Sequence, residues 1–332
     1  MEIIKALKES KLTGLGGAGF PTWQKWQLVK EAEDRKRFVI CNLSEGEADV
    51  FKDEYILIHH LKELIFGIEL AADTIMAQKS YIFLNDKYKK YFKKIKRSTS
   101  GRKIEIFIDT GRYLSGEETT LLQVMEGKLR QPKNKPPYPT ESGLYGCPTL
   151  VNNAETLYRA YLVSTGNYQA KRFYSITADS GKKKIIEASV AAKISEIIGP
   201  KIFWSAKFAR ISGPSGYFLL REKFDQSVDG TGAIRIYGHR RRIIDGLVDS
   251  VIFLKSESCG KCTPCREGTY RIAEKINQLL DSNSLWDRKE IVEVMVEIAE
   301  AAKESSFCTL GKSVATPVIS TIENFKQELI GE

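Results

Sequence analysis

Cysteine spacing gives this sequence its clearest chemical signal. Cys259, Cys262 and Cys265 form the pattern C-x2-C-x2-C. Cys308 follows further along the chain. Three thiolates on one tight turn can each bind one iron of a cubane cluster, and the fourth ligand then comes from elsewhere. Zinc also accepts four thiolates, but its sites usually combine two separated C-x2-C pairs. The spacing therefore favours a [4Fe–4S] cluster on these four cysteines over a zinc ion.

The other two cysteines, Cys41 and Cys147, stand alone in the sequence. The first ten residues lack the long apolar centre of a secretion signal. A disulfide framework is therefore the poorer interpretation of six cysteines, and we expect a reducing, cytoplasmic environment.

A glycine-rich segment near the N-terminus is the second candidate. Gly14, Gly16 and Gly19 match G-x-G-x-x-G, with Gly17 between them. The dinucleotide fingerprint follows a strand, whereas a helix is predicted before this segment, so we reject the ordinary Rossmann interpretation of the motif. Backbone N–H groups of the segment can still hold a phosphate at the next helix start, with Lys25 as an added cation. A tight structural turn is the alternative.

Three pairs of polar side chains complete the set of candidates. Two are carboxylate pairs and one is an amide pair: Glu45 with Glu47, Glu117 with Glu118, and Asn152 with Asn153. An amide offers both a donor and an acceptor, which suits a flavin or purine edge, although an Asn can also cap a helix. Carboxylates in loops are most often solvated. Phe20 and Tyr138 are able to stack on an aromatic ring or to join the core.

Strands that alternate with helices must position the first group of candidates. We predict strands at 38–42, 81–84 and 104–108, with one long helix from about 54 to 77 and a lysine-rich helix around 88–96 between them, which indicates an α/β layer fold up to about residue 168. Short β-like runs separated by glycine turns follow, the last of them at 250–254. From Cys259 onward the pattern is helical.

Composition and charge limit the classes of function. The chain has 332 residues, of which 42% are hydrophobic and 28% charged, so it is an ordinary globular chain of two or three domains. The best apolar run, 64–76, is too short to span a membrane. The net charge of +9 suits an acidic partner, but no nucleic-acid motif accompanies it, so we expect no nucleic acid and no membrane span.

The motifs occur together in an order that resembles one family. They are G-L-G-G-A-G-F-P-T-x-x-K-W, C-N-x-x-E-G-E, S-G-E-E-T-x-L-L, K-P-P-Y-P, P-T-x-V-N-N-x-E-T, G-P-S-G, E-S-C-G-K-C-T-P-C-R-E-G-T and F-C-x-L-G. The chain resembles the NADH-oxidising, FMN-carrying subunit of respiratory complex I. This family includes the diaphorase subunits of NAD-linked hydrogenases and formate dehydrogenases. The resemblance extends from about residue 3 to residue 328.

The resemblance implies an α/β fold class with three domains. These are a Rossmann-like domain for FMN and NADH at 1–168, a small ubiquitin-like β-grasp (SLBB) domain at 169–253, and a helical [4Fe–4S] domain at 254–332. It implies an enzyme, an NADH dehydrogenase that passes a hydride from NADH to FMN and single electrons to the cluster. It also implies partner subunits, an iron–sulfur subunit among them, and a cytoplasmic position at the periphery of a membrane complex.

The resemblance also implies roles for individual residues. The FMN contacts would be Gly14, Gly16, Gly17, Gly19, Lys25, Asn42, Gly116, Glu117, Asn152, Asn153 and Thr156. The NADH contacts would be Glu47, Glu118 and Lys135, with Phe20 and Tyr138 around the adenine; Glu45 is a further cofactor-site candidate. The cluster ligands would be Cys259, Cys262, Cys265 and Cys308. No side chain needs to act as a catalytic acid or base.

Several residues near the predicted pocket depart from the family pattern. They are Leu15 in place of arginine, Ser44 in place of aspartate, Ala48 and Asp49 in place of Pro-Gly, Arg112 in place of a small residue, and Leu28 in place of an aromatic. The alternative function is therefore an electron-relay subunit, inside a multi-subunit oxidoreductase, in which the NADH site is altered or lost.

Overall fold

The computed structural model describes residues 2–34 and 36–331, which form two compact units. The first unit consists of residues 2–34, 36–46, 50–173 and 187–190, and the second of residues 47–49, 174–186 and 191–331. Each unit has its own buried core.

A four-stranded parallel sheet forms the centre of the first unit. Its strands are β1 (Phe38–Leu43), β2 (Lys79–Asn85), β3 (Ile104–Asp109) and β4 (Thr149–Asn153), in the order β3-β2-β1-β4. All three neighbouring pairs are parallel. The three predicted strands are confirmed, whereas β4 was not predicted because two asparagines follow its short apolar run.

Within the described residues, seven helices accompany this sheet in the first unit. They are α1 (Glu2–Glu9), α2 (Thr22–Glu31), α3 (Lys52–His59), α4 (Leu61–Ile75), α5 (Phe92–Ser98), α6 (Glu118–Met125) and α7 (Ala154–Ser164), with short 3-10 turns at Asp86–Tyr91, Tyr113–Gly116 and Leu144–Gly146. Helix α4 packs closely on α7: a methyl group in place of the hydrogen of Gly67 would lie 2.1 Å from the carbonyl oxygen of Leu157.

The second unit contains most of a mixed five-stranded sheet. Its strands are β5 (Lys171–Thr177), β6 (Lys183–Ser189), β7 (Ala206–Ile211), β8 (Tyr217–Leu220) and β9 (Ala233–Gly238), in the order β6-β5-β9-β7-β8. Strand β9 is parallel to β5 and antiparallel to β7. Helix α8 (Ile194–Ser205) lies in the chain between β6 and β7.

Up to residue 331, where the described part of the chain ends, five further helices belong to the second unit. They are α9 (Ile243–Glu257), α10 (Thr263–Asp281), α11 (Leu285–Ser305), α12 (Thr309–Lys312) and α13 (Ala315–Ile330). The strand expected at 250–254 is wrong, since these residues lie in α9. Buried residues recur there at helical spacing, at Leu247, Val251 and Leu254, and this amphipathic periodicity overrides the β propensity of a short apolar run.

The predicted fold class is confirmed: a Rossmann-like parallel sheet, a second sheet and C-terminal helices share one chain. Within the described residues, no helix is both long enough and apolar enough to cross a membrane.

Candidate functional site

The carboxyl edge of the parallel sheet brings several candidate amides together. Asn42, the residue before the last of β1, lies opposite Asn153 of β4, and Cys41 lies opposite Asn152. In open α/β sheets, ligands bind outside this edge of the strands. We call the group formed here by the 14–19 loop, Asn42, Gly116, Asn152, Asn153 and Thr156 the sheet-edge site.

The glycine loop of the sheet-edge site joins α1 to α2. Its base is closed by a hydrogen bond of 2.8 Å from the N–H of Gly14 to the carbonyl of Phe20. Gly17 and Gly19 have φ values of 116° and 65°, which L side chains rarely adopt. The loop lies against the edge, because a methyl group on Gly16 would come within 3.4 Å of the Asn153 side chain. Its exposed backbone suits the close approach of a phosphate.

The amide side chains are held by specific hydrogen bonds. The indole N–H of Trp26 donates to Oδ1 of Asn152 at 3.0 Å. Asn153 caps α7, since its Oδ1 accepts from the N–H of Thr156 at 3.2 Å, so the helix-capping alternative is confirmed for this residue. The hydroxyl oxygen of Thr156 in turn accepts from the N–H of Leu15 at 2.9 Å, which ties the glycine loop to the start of α7.

Asn42 ties the end of β1 to the segment before α6. Its Nδ2 donates to the carbonyl of Gly116 at 2.9 Å, and its Oδ1 accepts from the N–H of Ser44 at 3.1 Å. A methyl group on Gly116 would lie 3.4 Å from the carbonyl oxygen of Ser44. These contacts explain why a small residue and an amide occupy these two positions.

Two lysine–glutamate pairs supply the charge of this region. Lys25 contacts Glu118, and Nζ of Lys135 lies 3.0 Å from Oε1 of Glu117. Burial and the positive charge of Lys135 lower the pKa of Lys25 to about 7. Glu117 also caps α6 by accepting from the N–H of Thr120 at 2.8 Å. Burial alone would raise the pKa of Glu117, but its hydrogen bond with Thr119 and the charge of Lys135 hold that pKa below its usual value.

Glu45 lies in a buried acidic group that the sequence did not reveal. Its Oε2 accepts from the hydroxyl of Tyr88 at 2.6 Å and from the N–H of Asp53 at 3.1 Å. Burial raises the pKa of Glu45, and burial together with the Glu45 charge raises the pKa of Asp53. Glu45 therefore lies beside a second buried carboxyl group, that of Asp53.

The buried ion pair of Lys52 and Glu155 was also missed. Nζ of Lys52 lies 2.9 Å from Oε2 of Glu155 and donates to the carbonyl of Leu15 at 2.5 Å. This pair joins α3, α7 and the glycine loop. Its partners are far apart in the sequence, so no local pattern indicates it.

The remaining nucleotide candidates are more dispersed. Phe20 and Tyr138 are 42% and 52% exposed, and no ring contact joins them in the described part of the chain. Glu47 belongs to the second unit, where its Oε1 accepts from the hydroxyl of Ser215 at 3.3 Å.

The four predicted cluster cysteines all lie in the second unit, and Cys259, Cys262 and Cys308 are near enough to Cys265 to affect its thiol electrostatically. Cys262 immediately precedes α10, Cys265 lies in its first turn, and Cys308 immediately precedes α12. Helix α10 has 19 residues and α11 has 21, and the short connection between them returns the chain to its starting end. No described cysteine forms a disulfide. The cysteine turn, residues 259–265, therefore lies beside the start of α12.

The surroundings of Cys265 fit a cluster with sulfur acceptors. Burial raises the pKa of its thiol to about 11, and the hydrogen bond with Ser258 lowers that pKa in part, so a thiolate here needs a compensating cation such as iron. A methyl group on Gly311 would lie 2.8 Å from Cβ of Cys265 and 2.5 Å from Oγ of Ser306. That hydroxyl is buried and has no hydrogen-bond partner in the described residues.

The arrangement of the thiols does not match a site for a single ion. Among residues 2–34 and 36–331, no three His, Cys, Asp or Glu side chains stand close enough together to hold one metal ion. A four-iron cluster differs from such a site because each thiolate binds its own iron.

A phosphate-type loop at the edge of a parallel sheet and a four-cysteine site occur here in one chain. This combination defines a class, the electron-transfer subunits that carry a flavin and an iron–sulfur cluster. Residues 7–162 match the sequence model of the Nuo51 FMN-binding domain. Residues 247–331 match that of the NADH-ubiquinone oxidoreductase-F iron–sulfur binding region. The chain belongs to the family of the NADH-quinone oxidoreductase flavin and iron–sulfur subunits, and the predicted resemblance is confirmed.

Individual relatives agree with this assignment. The corresponding NADH-quinone oxidoreductase subunit of Rhizobium meliloti is 31% identical, over 98% of this chain and 85% of its own length. The alpha subunit of the NAD-reducing hydrogenase HoxS of Cupriavidus necator is 30% identical, over 98% of this chain. This chain spans only 60% of the hydrogenase subunit's length. A crystal structure of an H2-reduced NAD+-reducing [NiFe]-hydrogenase superposes with a TM-score of 0.90 at 29% identity, covering 99% of this chain and 62% of that one.

Proposed function

We propose that this chain is an NADH dehydrogenase subunit that accepts a hydride from NADH and passes single electrons onward within a larger redox complex. FMN, when bound, supplies the exchange between hydride and single-electron chemistry, and a [4Fe–4S] cluster carries one electron at a time. The observation that carries the proposal is the sheet-edge site in a chain whose cysteine turn lies beside Cys308.

The sheet-edge site offers FMN a complementary set of groups. The N–H groups of residues 16–19 and the ammonium of Lys25 would hold the phosphate, because the N–H groups of Gly14 and Leu15 already donate within the chain. Because Oδ1 of Asn152 already accepts from Trp26, its amide N–H groups remain to donate to the flavin ring. The hydrogen bond to Gly116 fixes the side chain of Asn42, and the capping of α7 fixes that of Asn153. Both side chains would therefore hold the edge of the flavin ring without having to move. A rigid donor set of this kind orients the ring and tunes its electronics.

The nucleotide would be bound by the charged and aromatic residues that the family resemblance assigns to it. We assign Glu47, Glu118 and Lys135 to the polar parts of the nucleotide. Phe20 and Tyr138 would contact its adenine. Glu45 and Glu117 would support the flavin side of the site. The two aromatic rings are partly exposed, so they are accessible to a planar ligand. These residues bind and orient, and none has to transfer a proton.

The cluster would be bound by Cys259, Cys262, Cys265 and Cys308. The out-and-back path of α10 and α11 supports this set, because it returns the fourth thiol to the cysteine turn. Divided by role, the chain would have an FMN and NADH domain at 1–168, an SLBB β-grasp domain at 169–253 and a cluster domain at 254–332.

Other subunits of a redox complex would receive the electrons, and one of them would be an iron–sulfur subunit. The named relatives are subunits of a quinone oxidoreductase and of a hydrogenase, which supports this proposal. A cytoplasmic position at the periphery of a membrane complex suits cysteines that form no disulfides.

The alternative is an electron-relay subunit that does not react with NADH. One observation favours it: Leu15, where the family pattern has arginine, is 6% exposed and places no cation in the glycine loop.

An anaerobic visible spectrum, recorded before and after addition of NADH, distinguishes the two functions. We expect flavin absorption that NADH bleaches, together with cluster absorption. A flavin that neither NADH nor NADPH reduces, beside an intact cluster, would establish the relay function instead. A cluster without flavin would contradict the assignment of the sheet-edge site.

A further inference from the structure

A serine hydroxyl lies next to a predicted cluster ligand. Ser258 follows the last residue of α9 and precedes the cysteine turn. Its Oγ lies 3.3 Å from Sγ of Cys265. The same Oγ accepts a hydrogen bond of 3.3 Å from the N–H of Gly260. One side chain therefore contacts both the backbone and a sulfur of the turn.

These contacts determine the direction of the bond to sulfur once a metal is bound. The Gly260 N–H occupies a lone pair of the hydroxyl oxygen, while the hydroxyl proton remains available. A metal-bound Cys265 is a thiolate and has no proton to give. The hydroxyl of Ser258 must then donate and the sulfur must accept.

We propose that the Ser258 hydroxyl raises the reduction potential of the cluster by donating a hydrogen bond to the Cys265 thiolate. The proposal rests on the proposed function, since it takes Cys265 as a ligand. Reduction adds negative charge to the cluster and its sulfurs, and a donor aimed at a sulfur stabilises that charge. Cys265 is 5% exposed, so little water replaces a lost donor.

The experiment is a redox titration of the purified holoprotein, with the reduced cluster followed by electron paramagnetic resonance. Wild type is compared with Ser258→Ala and with the matched pair Ser258→Thr and Ser258→Val. Thr keeps the hydroxyl, whereas Val has nearly the same shape without it. Ser256→Ala is the control, because that hydroxyl bonds to the Phe253 carbonyl within its own helix. Iron content is measured for every variant.

We expect Ser258→Ala and Ser258→Val to have a lower midpoint potential than wild type. The shift should correspond to about a tenfold change in the ratio of reduced to oxidised cluster, or about 59 mV for a one-electron couple. Ser258→Thr and Ser256→Ala should titrate like wild type. If Ser258→Ala fails to assemble, the comparison of Thr with Val decides.

Equal midpoints for the Thr and Val variants would overturn the proposal, because packing rather than the hydroxyl would then be responsible. Loss of the cluster in Val alone would also overturn it, since Ser258 would be needed for assembly and not for tuning. A wild-type protein without a [4Fe–4S] signal would instead contradict the proposed function.

Discussion

At the scale of single residues, the positive charges around the sheet-edge site are already neutralised within the chain. Lys25 contacts Glu118, and Lys135 is paired with Glu117. An anionic ligand that takes either lysine must therefore displace a carboxylate. Binding at this site exchanges one ion pair for another, which favours a ligand of defined geometry over a diffuse anion.

The protonation of Lys25 leads to a pH dependence of FMN binding. Its pKa is lowered to about 7, so the ammonium loses its proton as the pH rises through 7. A phosphate that pairs with Lys25 restores the charged form, and binding above pH 7 must take up a proton. We expect the Kd of the flavin-free protein for FMN to rise between pH 7 and pH 9.

In Lys25→Met, FMN should bind about tenfold more weakly at pH 7, the loss typical of one charge-assisted hydrogen bond, and the pH slope should disappear. Fluorescence titration with FMN at several pH values measures both effects. Lys30→Met on the same helix serves as the control and should keep the wild-type slope. If the Kd of Lys25→Met for FMN kept the full pH dependence of the wild type, Lys25 would not be a ligand of the phosphate.

Asp49 provides a test of stability in the second unit. Its two carboxylate oxygens lie 2.6 Å from Arg210 and 2.9 Å from Arg235, and the carboxylate and Arg210 are both buried. Asp49→Asn removes the carboxylate that both guanidinium groups share and should lower the free energy of unfolding by about 3–5 kcal/mol. Asp179→Asn, which breaks the exposed pair with Arg241, should cost at most about 1 kcal/mol.

The Asp49 effect should also depend on pH. Burial alone would raise its pKa, but the charges of Arg210 and Arg235 prevail and lower it. A lowered pKa in the folded state means that the stabilisation is present above the unfolded pKa of about 3.9 and is lost as the pH falls through the folded pKa. Urea unfolding midpoints of wild type and Asp49→Asn should therefore converge in acid. A difference that is constant from pH 7 to pH 3 would refute the electrostatic origin.

The site residues that were easiest to predict were those whose spacing in the sequence is typical of a cofactor site. The cysteine pattern indicated iron–sulfur chemistry without any structure, and the family assignment confirms both cofactors. The individual ligand residues remain predictions. Two buried contacts could not be predicted from the sequence, namely Lys52 with Glu155 and Glu45 with Asp53. Both depend on burial and on contacts formed in the folded chain, which no local pattern indicates.

At the scale of elements, the crossing of α4 and α7 depends on one missing side chain. Helix propensity alone predicts that Gly67→Ala stabilises α4 by about 1 kcal/mol. Here the new methyl group would lie 2.1 Å from the Leu157 carbonyl oxygen, which cannot rotate away. We therefore expect the opposite sign, a loss of about 1–3 kcal/mol as the helices separate.

Thermal unfolding of Gly67→Ala measures this effect, with Ala72→Gly as the comparison within α4. The second change should cost about 1 kcal/mol through helix propensity alone. A higher midpoint for Gly67→Ala than for wild type would show that α4 shifts freely, contrary to close packing.

Hydrophobic periodicity predicted where helices occur but not where one helix ends and the next begins. A single helix was predicted from 54 to 77, but α3 and α4 are separated at His60, whose φ of −132° is not helical. Its ring stacks on Tyr158 with a centroid distance of 4.7 Å, a tertiary contact that no local pattern indicates. The strand predicted at 250–254 was wrong because the run is short. Five apolar or small residues fit a strand or a helix equally well.

At the scale of the whole molecule, the succession of regions along the chain was easier to predict than the division into compact units. The succession of an α/β region, a second sheet and a helical region follows from composition and periodicity, and it is confirmed. The division into compact units was less accessible, because it depends on contacts rather than chain order. Residues 47–49 belong to the second unit although the sequence around them belongs to the first.

The out-and-back path of α10 and α11 also has a consequence for biosynthesis. On the ribosome, three of the proposed ligands emerge together in the cysteine turn, while Cys308 emerges only after both long helices. An iron–sulfur carrier that arrives early would meet three thiols and an open coordination position. Completion of the metal centre by the proposed fourth ligand would then depend on closure of the hairpin, so insertion of the whole cluster would require this region to be folded.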